Sequence, residues 1–394
     1  MDVSLKTGTS TTNIGKPPFR ADQVGSLLRP PELRSAHEKW IAGRFDAGEL
    51  HALQDRCIID AIRLQESVGL QAITDGEFRR TSFSSDFIEK LDGAQSPGHL
   101  SIGGTAGGLQ GGVRGAVQPG KPFAPRAFEV TGKLRHARPI EVENFRFVKA
   151  HTARLPKQTM PSPTMLLRGG RKSVSRDAYP DLDEFYADIA TVYREELKAL
   201  GEAGCTYVQL DDTNYAYLCD PKLRETFREW DYDPDSMPQR FSDLINSVIS
   251  GRPAGMTVGI HICRGNSSGQ WAAEGPYEAV AESLLNDLQV DGYFLEYDDA
   301  RSGSFEPLRF FPRGSAKKIV LGLVSTKRPA IESRDELRRR IDEAARYVPL
   351  ENLCLSPQCG FASTYKGNPI TPEVQRIKLE RVVEVATEVW GTAR

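Results

Sequence analysis

Short apolar runs recur along the chain, and nearly every one stops on an unusual polar residue. The clearest is Met256-Thr257-Val258-Gly259-Ile260, which passes through His261-Ile262-Cys263 and breaks at Arg264-Gly265-Asn266. A continuous apolar run of this length, bounded by turn residues, predicts a strand buried on both faces. Seven more strands are predicted: one ending near Val24, then 71–74, around 158–160, 206–210, 292–295, 318–324 and 353–356. Stretches of helical period lie between them. Leu50, Leu53, Cys57, Ile58 and Ala61 make one stripe, closed by Gly69 as a C-cap, and Phe185, Ile189, Val192, Tyr193, Leu197 and Leu200 make another. Further helices are predicted from Pro139 through Val148, over 275–289 and 334–347, and from about Pro372 to Trp390, with a short extra strand at 128–131. Eight strands alternating with helices, with no long linker, predict an α/β fold of the (β/α)8 TIM-barrel type. A doubly wound open sheet is the main rival, weakened because no Gly-rich dinucleotide fingerprint follows the first strand.

Residues 97–127 are rich in glycine and proline without a period. They predict a loop insertion after the second strand, either a tolerated surface excursion or a flap over a site. Residues 1–18 are polar and hold no apolar signal core, so a disordered or extended tail is expected, with 19–394 forming a single domain. Composition changes this picture little. The chain has 394 residues, 39% hydrophobic and 26% charged, as soluble globular domains do. A formal net charge of −2 offers no basic field for nucleic acid or an anionic membrane, and no apolar run reaches spanning length. The cytoplasm is the expected compartment. Six cysteines in such a chain predict no disulfide framework. Cys57 and Cys354 read as core packing, and Cys205 and Cys219 carry no assigned role.

In a (β/α)8 barrel the C-terminal strand ends converge on the face that carries chemistry. That geometry would bring Ser26, Glu77, Asp211, His261, Cys263, Glu296, Lys327 and Cys359 to one pocket. His261 and Cys263 are two apart on a strand and so face the same side. Imidazole nitrogen and thiolate sulfur together suit zinc, and Glu296 and Cys359, at the ends of later strands, complete a candidate ligand set. Each residue alone reads more readily as structural: a hydrogen-bonded histidine, a packed cysteine, a carboxylate capping the next helix. Their conjunction on three strand ends is what favours a metal.

At these residues the sequence resembles the cobalamin-independent methionine synthase family, in its C-terminal catalytic barrel and its short single-barrel relatives. The matching pieces are VGSLLRP at 24–30, DGEFRR at 75–80, VQLDD at 208–212, HICRGN at 261–266, FLEYDD at 294–299, LGLVSTK at 321–327 and LSPQCGF at 355–361. They span the chain from about Phe19 to the last helix. The resemblance implies catalytic Zn2+ on His261, Cys263, Glu296 and Cys359. It implies an amino-acid site at Gly25, Ser26, Glu77 and Asp211, where a carboxylate holds the substrate ammonium and backbone and hydroxyl groups hold its carboxylate. The activity it implies is methyl transfer from a methyl-folate or other small donor to a small thiol, homocysteine, giving methionine. Asp211 and Lys327 are the candidate catalytic side chains.

Two departures bear on the donor. The long members' N-terminal barrel, which helps bind polyglutamylated folate, has no counterpart among the matching stretches and is not expected here, and where they carry a histidine after the seventh strand this chain reads Val324-Ser325-Thr326-Lys327. Three alternatives remain: alkyl transfer to another thiol, such as coenzyme M opening an epoxide; metal-free decarboxylation on the related uroporphyrinogen decarboxylase barrel; and a non-catalytic zinc-binding or storage protein with a coordinatively closed metal. The carboxylates favour an amino-acid thiol. Arg29, Arg79, Arg80, Arg264 and Lys327, near strand ends, keep a sulfonate thiol open or are solvated surface charges. A small thiol and a small methyl donor are the expected partners, without nucleic acid or membrane, and homo-oligomerisation stays open.

Overall fold

The structure is a computed structural model that describes residues 16–95, 128–266 and 268–394. The expected loop insertion at 97–127, and all but the last three residues of the expected tail, lie outside the described residues. The strands are β1 (Ala72–Ile73), β2 (Asp92–Gln95), β3 (Glu129–Arg135), β4 (Leu155–Pro156), β5 (Gln158–Pro161), β6 (Tyr207–Asp212), β7 (Thr257–Ile262), β8 (Gly292–Glu296), β9 (Lys318–Val324) and β10 (Leu353–Pro357). β5 to β10 form one six-stranded parallel sheet in sequence order. Its strands are buried almost throughout, which is why the runs are continuously apolar rather than alternating. β4 leads into β5 and pairs in parallel with β1, while Ala21 makes a parallel bridge to Leu355 of β10. β2 and β3 pair antiparallel beside this assembly.

Helices connect the parallel strands and cover the sheet. Leu182–Glu202 joins β5 to β6; Asp181 caps its first turn through Asp183 N, and Phe185, Ile189, Val192, Tyr193, Leu197 and Leu200 are buried, as their spacing predicts. Ala47–Ser67 buries Leu50, Cys57, Ile58 and Ala61, and Gly69 follows at φ +98, a left-handed position that suits glycine. Pro372–Trp390 begins on a Thr371 cap with proline at its first position and stops at left-handed Gly391. Among the described residues no helix is long and apolar enough to cross a membrane.

Two elements differ from the sequence pattern. The helix predicted over 275–289 is a short α-helix, Glu278–Glu282, running into a π-helical stretch, Ser283–Asp287. Gly275 sits at φ +124 and precedes Pro276, which keeps it out of the α region and delays the helix start. The strand predicted to end near Val24 is reduced to the bridge at Ala21. There the Asp22 carboxylate accepts from the backbone N–H groups of Phe19 (3.2 Å) and Gln23 (2.8 Å), local bonds that compete with a sheet ladder. Asp22 also lies 3.0 Å from Lys157 Nζ and accepts from Tyr207 Oη at 2.8 Å. This enclosed ion pair lies beneath the strand ends that carry the site.

Candidate metal centre

His261 is the penultimate residue of β7, and Cys263 follows that strand directly. Glu296 ends β8, and Cys359 comes two residues after β10. Parallel register carries these ends to one side of the sheet: Asp211 pairs with His261, His261 with Phe294, and Glu296 with Gly322. The ligand atoms of His261, Cys263, Glu296 and Cys359 all lie within 4.8 Å of one another, and all four residues are buried.

Three observations fit this group to a cation. The sulfurs of Cys263 and Cys359 are unbonded and 3.4 Å apart. Two sulfurs on one tetrahedral zinc, each at about 2.3 Å from it, stand about 3.8 Å apart. Both ring nitrogens of His261 and Oε2 of Glu296 are buried without a hydrogen-bond partner. Orphaned polar atoms carry an unrecovered desolvation cost, and a bound cation removes it. Finally, the two sulfurs share a proton: their hydrogen bond pushes Cys263 well above the usual thiol range and holds Cys359 well below it. Burial works against a charged His261, but Cys359, Asp211 and Glu296 outweigh it and raise its pKa.

The surrounding loops fix these side chains. Glu296 Oε1 accepts from Arg264 N at 2.8 Å, which orients the carboxylate. Gly360 O accepts from Asn266 Nδ2 at 2.8 Å and from Thr326 Oγ1 at 3.1 Å, tying the Cys359 turn to the loops after β7 and β9. The turn needs glycine at 360 because a Cβ there would stand 2.0 Å from Ser26 Oγ.

On one flank lie the residues expected to hold an amino acid. Gly25 has φ +144, and a Cβ on it would meet Thr159 Cγ2 at 2.7 Å and Glu77 Oε1 at 3.2 Å. Glu77 itself holds φ +60, a strained conformation for a side-chain-bearing residue. Its backbone carbonyl is pinned by Arg29 Nη2, and its Oε1 accepts from Thr159 Oγ1 at 3.0 Å, with Arg80 Nη1 at 3.5 Å. Asp211 accepts from Gln209 Nε2 at 2.7 Å. Burial pushes Glu77 up to about 7, with Arg80 opposing the rise and Asp211 and Asp75 adding to it; burial likewise pushes Asp211 up to about 6, opposed by His261, the Gln209 hydrogen bond and Arg80. Two enclosed carboxylates of raised pKa suit a bound cation such as an ammonium. Gly25→Ala is therefore expected to displace Glu77 and raise the KM for an amino-acid thiol about tenfold, with little change in kcat. Steady-state kinetics at saturating donor checks this.

On the other flank Lys327 Nζ lies 3.7 Å from Glu296 Oε2. Burial opposes its charge, but Glu296 and Cys359 outweigh that and keep its pKa above the ordinary lysine value. Of the cations named from the sequence, Arg79 lies apart, paired with Asp55 at 2.6 Å, whereas Arg29, Arg80 and Arg264 are buried and not surface charges. Sequence reasoning missed Thr159 and Arg301. Arg301 Nη2 lies 3.9 Å from Glu296 Oε2 and 2.7 Å from Asp298 Oδ1, and its guanidinium stacks 4.5 Å over the Trp271 ring. No spacing marks it, since an arginine after an acidic run reads as a solvated pair.

Comparison with known proteins places this geometry. The family model described as cobalamin-independent synthase, catalytic domain, matches residues 114–388, which hold the four residues of the centre as well as Asp211 and Lys327. The uncharacterized protein YxjH of Bacillus subtilis (strain 168) is 42% identical over 386 residues, covering 97% of this chain and 98% of its own length. The methionine synthase of Pyrococcus abyssi (strain GE5 / Orsay) is 25% identical, with 94% of each chain covered. A solved chain from Listeria monocytogenes, described provisionally as a vitamin-B12 independent methionine synthase, aligns with TM-score 0.74 at 35% identity, over 96% of this chain and 99% of that one. By the span of the family match and the reach of these relatives, the chain belongs to the cobalamin-independent methionine synthase family, in its catalytic domain.

Proposed function

We propose that this chain is a zinc-dependent S-methyltransferase that moves a methyl group from a small donor to the thiol of homocysteine, giving methionine. The observation that carries the reading is the convergence of His261, Cys263, Glu296 and Cys359 ligand atoms within 4.8 Å. The names of its methionine synthase relatives support the substrate assignment. Zinc held by those four side chains would act as a Lewis acid that keeps a small thiol deprotonated at neutral pH, where a free thiol of pKa about 8.5 is mostly protonated.

The chain's own residues do the rest. Glu77 and Asp211 hold the acceptor's ammonium, and the Gly25-Ser26 backbone with the Ser26 hydroxyl holds its carboxylate. Arg80, 3.3 Å from Glu141 and hydrogen-bonded to Thr159, keeps Glu77 aimed. Near-complete burial of these side chains excludes water from the reacting sulfur. In this reading residues 19–394 make one (β/α)8 barrel: the β1–β4 pair and the Ala21–Leu355 bridge lie at the two ends of the six-stranded sheet, where closure needs them.

The test is metal removal and return. Chelated protein, with and without added zinc, is given homocysteine and a panel of donors: methyl-tetrahydrofolates with one or several glutamates, sulfonium compounds and epoxides. Methionine formation that disappears on chelation and returns with zinc is the expected result. Full turnover by metal-free protein refutes the mechanism, and consumption of epoxide without methionine refutes the substrate.

A further inference from the structure

Two tyrosine side chains are buried beside the end of β8, and their hydroxyls are engaged differently. The rings of Tyr277 and Tyr297 stand 5.2 Å apart. Tyr297 Oη meets no hydrogen-bond partner among the described residues. Tyr277 Oη makes two bonds, both to the backbone of Glu296. It accepts from Glu296 N at 3.0 Å and donates to Glu296 O at 3.3 Å.

The way β7 ends explains why a side chain is needed there. The register of β7 with β8 stops at Ile262 and Leu295, one residue short of Glu296. Arg264, two residues past that point, gives its N–H to the Glu296 carboxylate at 2.8 Å. On the other edge β8 stays tied to β9, where Tyr297 N donates to Gly322 O at 2.9 Å. The Tyr277 hydroxyl therefore stands where a strand partner would. Without it the buried N–H and C=O of Glu296 are orphaned, and the strand end must shift to satisfy them.

The ring that carries this hydroxyl is itself fixed. The Arg264 guanidinium lies 4.4 Å over its face. Arg264 O accepts from Ala272 N at 2.8 Å and from Ala273 N at 3.0 Å, which folds the loop after β7 back towards Tyr277. One loop thus grips Glu296 twice, by its carboxylate and by its peptide. We infer that Tyr277 is a positioning residue of the metal centre: its hydroxyl sets the backbone of Glu296 and so the place of the carboxylate within the ligand group. This rests on the zinc reading above.

The experiment compares wild type, Tyr277→Phe, Tyr297→Phe, Glu296→Ala and the Tyr277→Phe/Glu296→Ala double variant. Zinc affinity is measured by competition with a chromophoric chelator. Absorption of the cobalt-loaded proteins and circular dichroism of the metal-free ones are recorded alongside. Tyr277→Phe is expected to weaken zinc binding about 10–100-fold and to change the cobalt ligand-field bands, while the metal-free protein stays folded. Tyr297→Phe deletes the same atom from the neighbouring ring and is expected to leave both readouts unchanged. In the Glu296→Ala background, Tyr277→Phe is expected to add less than about twofold, because its effect passes through Glu296. Four results overturn the inference alone: wild-type zinc affinity in Tyr277→Phe, an equal loss in Tyr297→Phe, a loss undiminished in the Glu296→Ala background, or a metal-free Tyr277→Phe chain that does not fold. A wild type that takes up no zinc refutes the zinc reading and the inference together.

Discussion

Replacing Cys359 with serine is expected to release the metal and lower turnover by about 1,000-fold or more. Cys359 Sγ lies 3.4 Å from Cys263 Sγ, and of the two sulfurs it is the one whose pKa their shared hydrogen bond and His261 lower. A serine hydroxyl fits the space but stays protonated and is a poor partner for zinc. Loss of an outer-shell partner alone lowers metal affinity about 10–100-fold, so loss of a ligand costs more. Lewis-acid stabilisation supplies several kcal/mol, and each 1.36 kcal/mol is about tenfold in rate, which sets the expected scale. Cys354 is the control: it is buried with Val24, Phe294 and Val320 and belongs to no ligand group. Cys354→Ala should keep its zinc and lose only about 1 kcal/mol of stability. Zinc stoichiometry and circular dichroism are read together. A Cys359→Ser protein that retains full zinc removes this cysteine from the ligand set.

The second large effect belongs to Glu77. Glu77→Gln is expected to weaken acceptor binding about 100-fold or more, because it removes one charge of a buried pair, a loss of about 3–5 kcal/mol when the partner ion stays enclosed. The same variant should flatten the pH profile. Burial pushes the Glu77 carboxyl up to about 7, Arg80 opposes the rise, and Asp211 adds to it. Only the ionised carboxylate holds an ammonium. Acceptor affinity should therefore be full above pH 7 and fall about tenfold per unit below it, as for a single ionisation. Homocysteine KM measured from pH 6 to 8.5 in both proteins checks the sign. Parallel profiles in wild type and Glu77→Gln would contradict the assignment.

The parallel sheet was legible because its strands are buried on both faces, so burial appears directly as apolar runs such as Val258 to Ile262. The ligand group was legible for the same reason: each run ends where its polar residue enters the site. What sequence did not show is the polar interior. Asp22 and Lys157 form an ion pair with both side chains fully enclosed, a contact that no hydrophobic pattern marks. β2, Asp-Gly-Ala-Gln, has no apolar run, and only its pairing with β3 reveals it. The buried state of Arg29, Arg80 and Arg264 was equally hidden, because charge alone does not tell a solvated guanidinium from one enclosed among carbonyls and rings. Arg264 stacks 4.4 Å over the Tyr277 ring, a contact set by tertiary packing and by no local spacing.

The most direct test of the central claim is X-ray absorption at the zinc edge of the loaded protein. The account predicts one zinc per chain with two sulfurs at about 2.3 Å and nitrogen and oxygen neighbours at about 2.0–2.2 Å. A spectrum lacking sulfur neighbours, or protein that retains no zinc after loading, would contradict it.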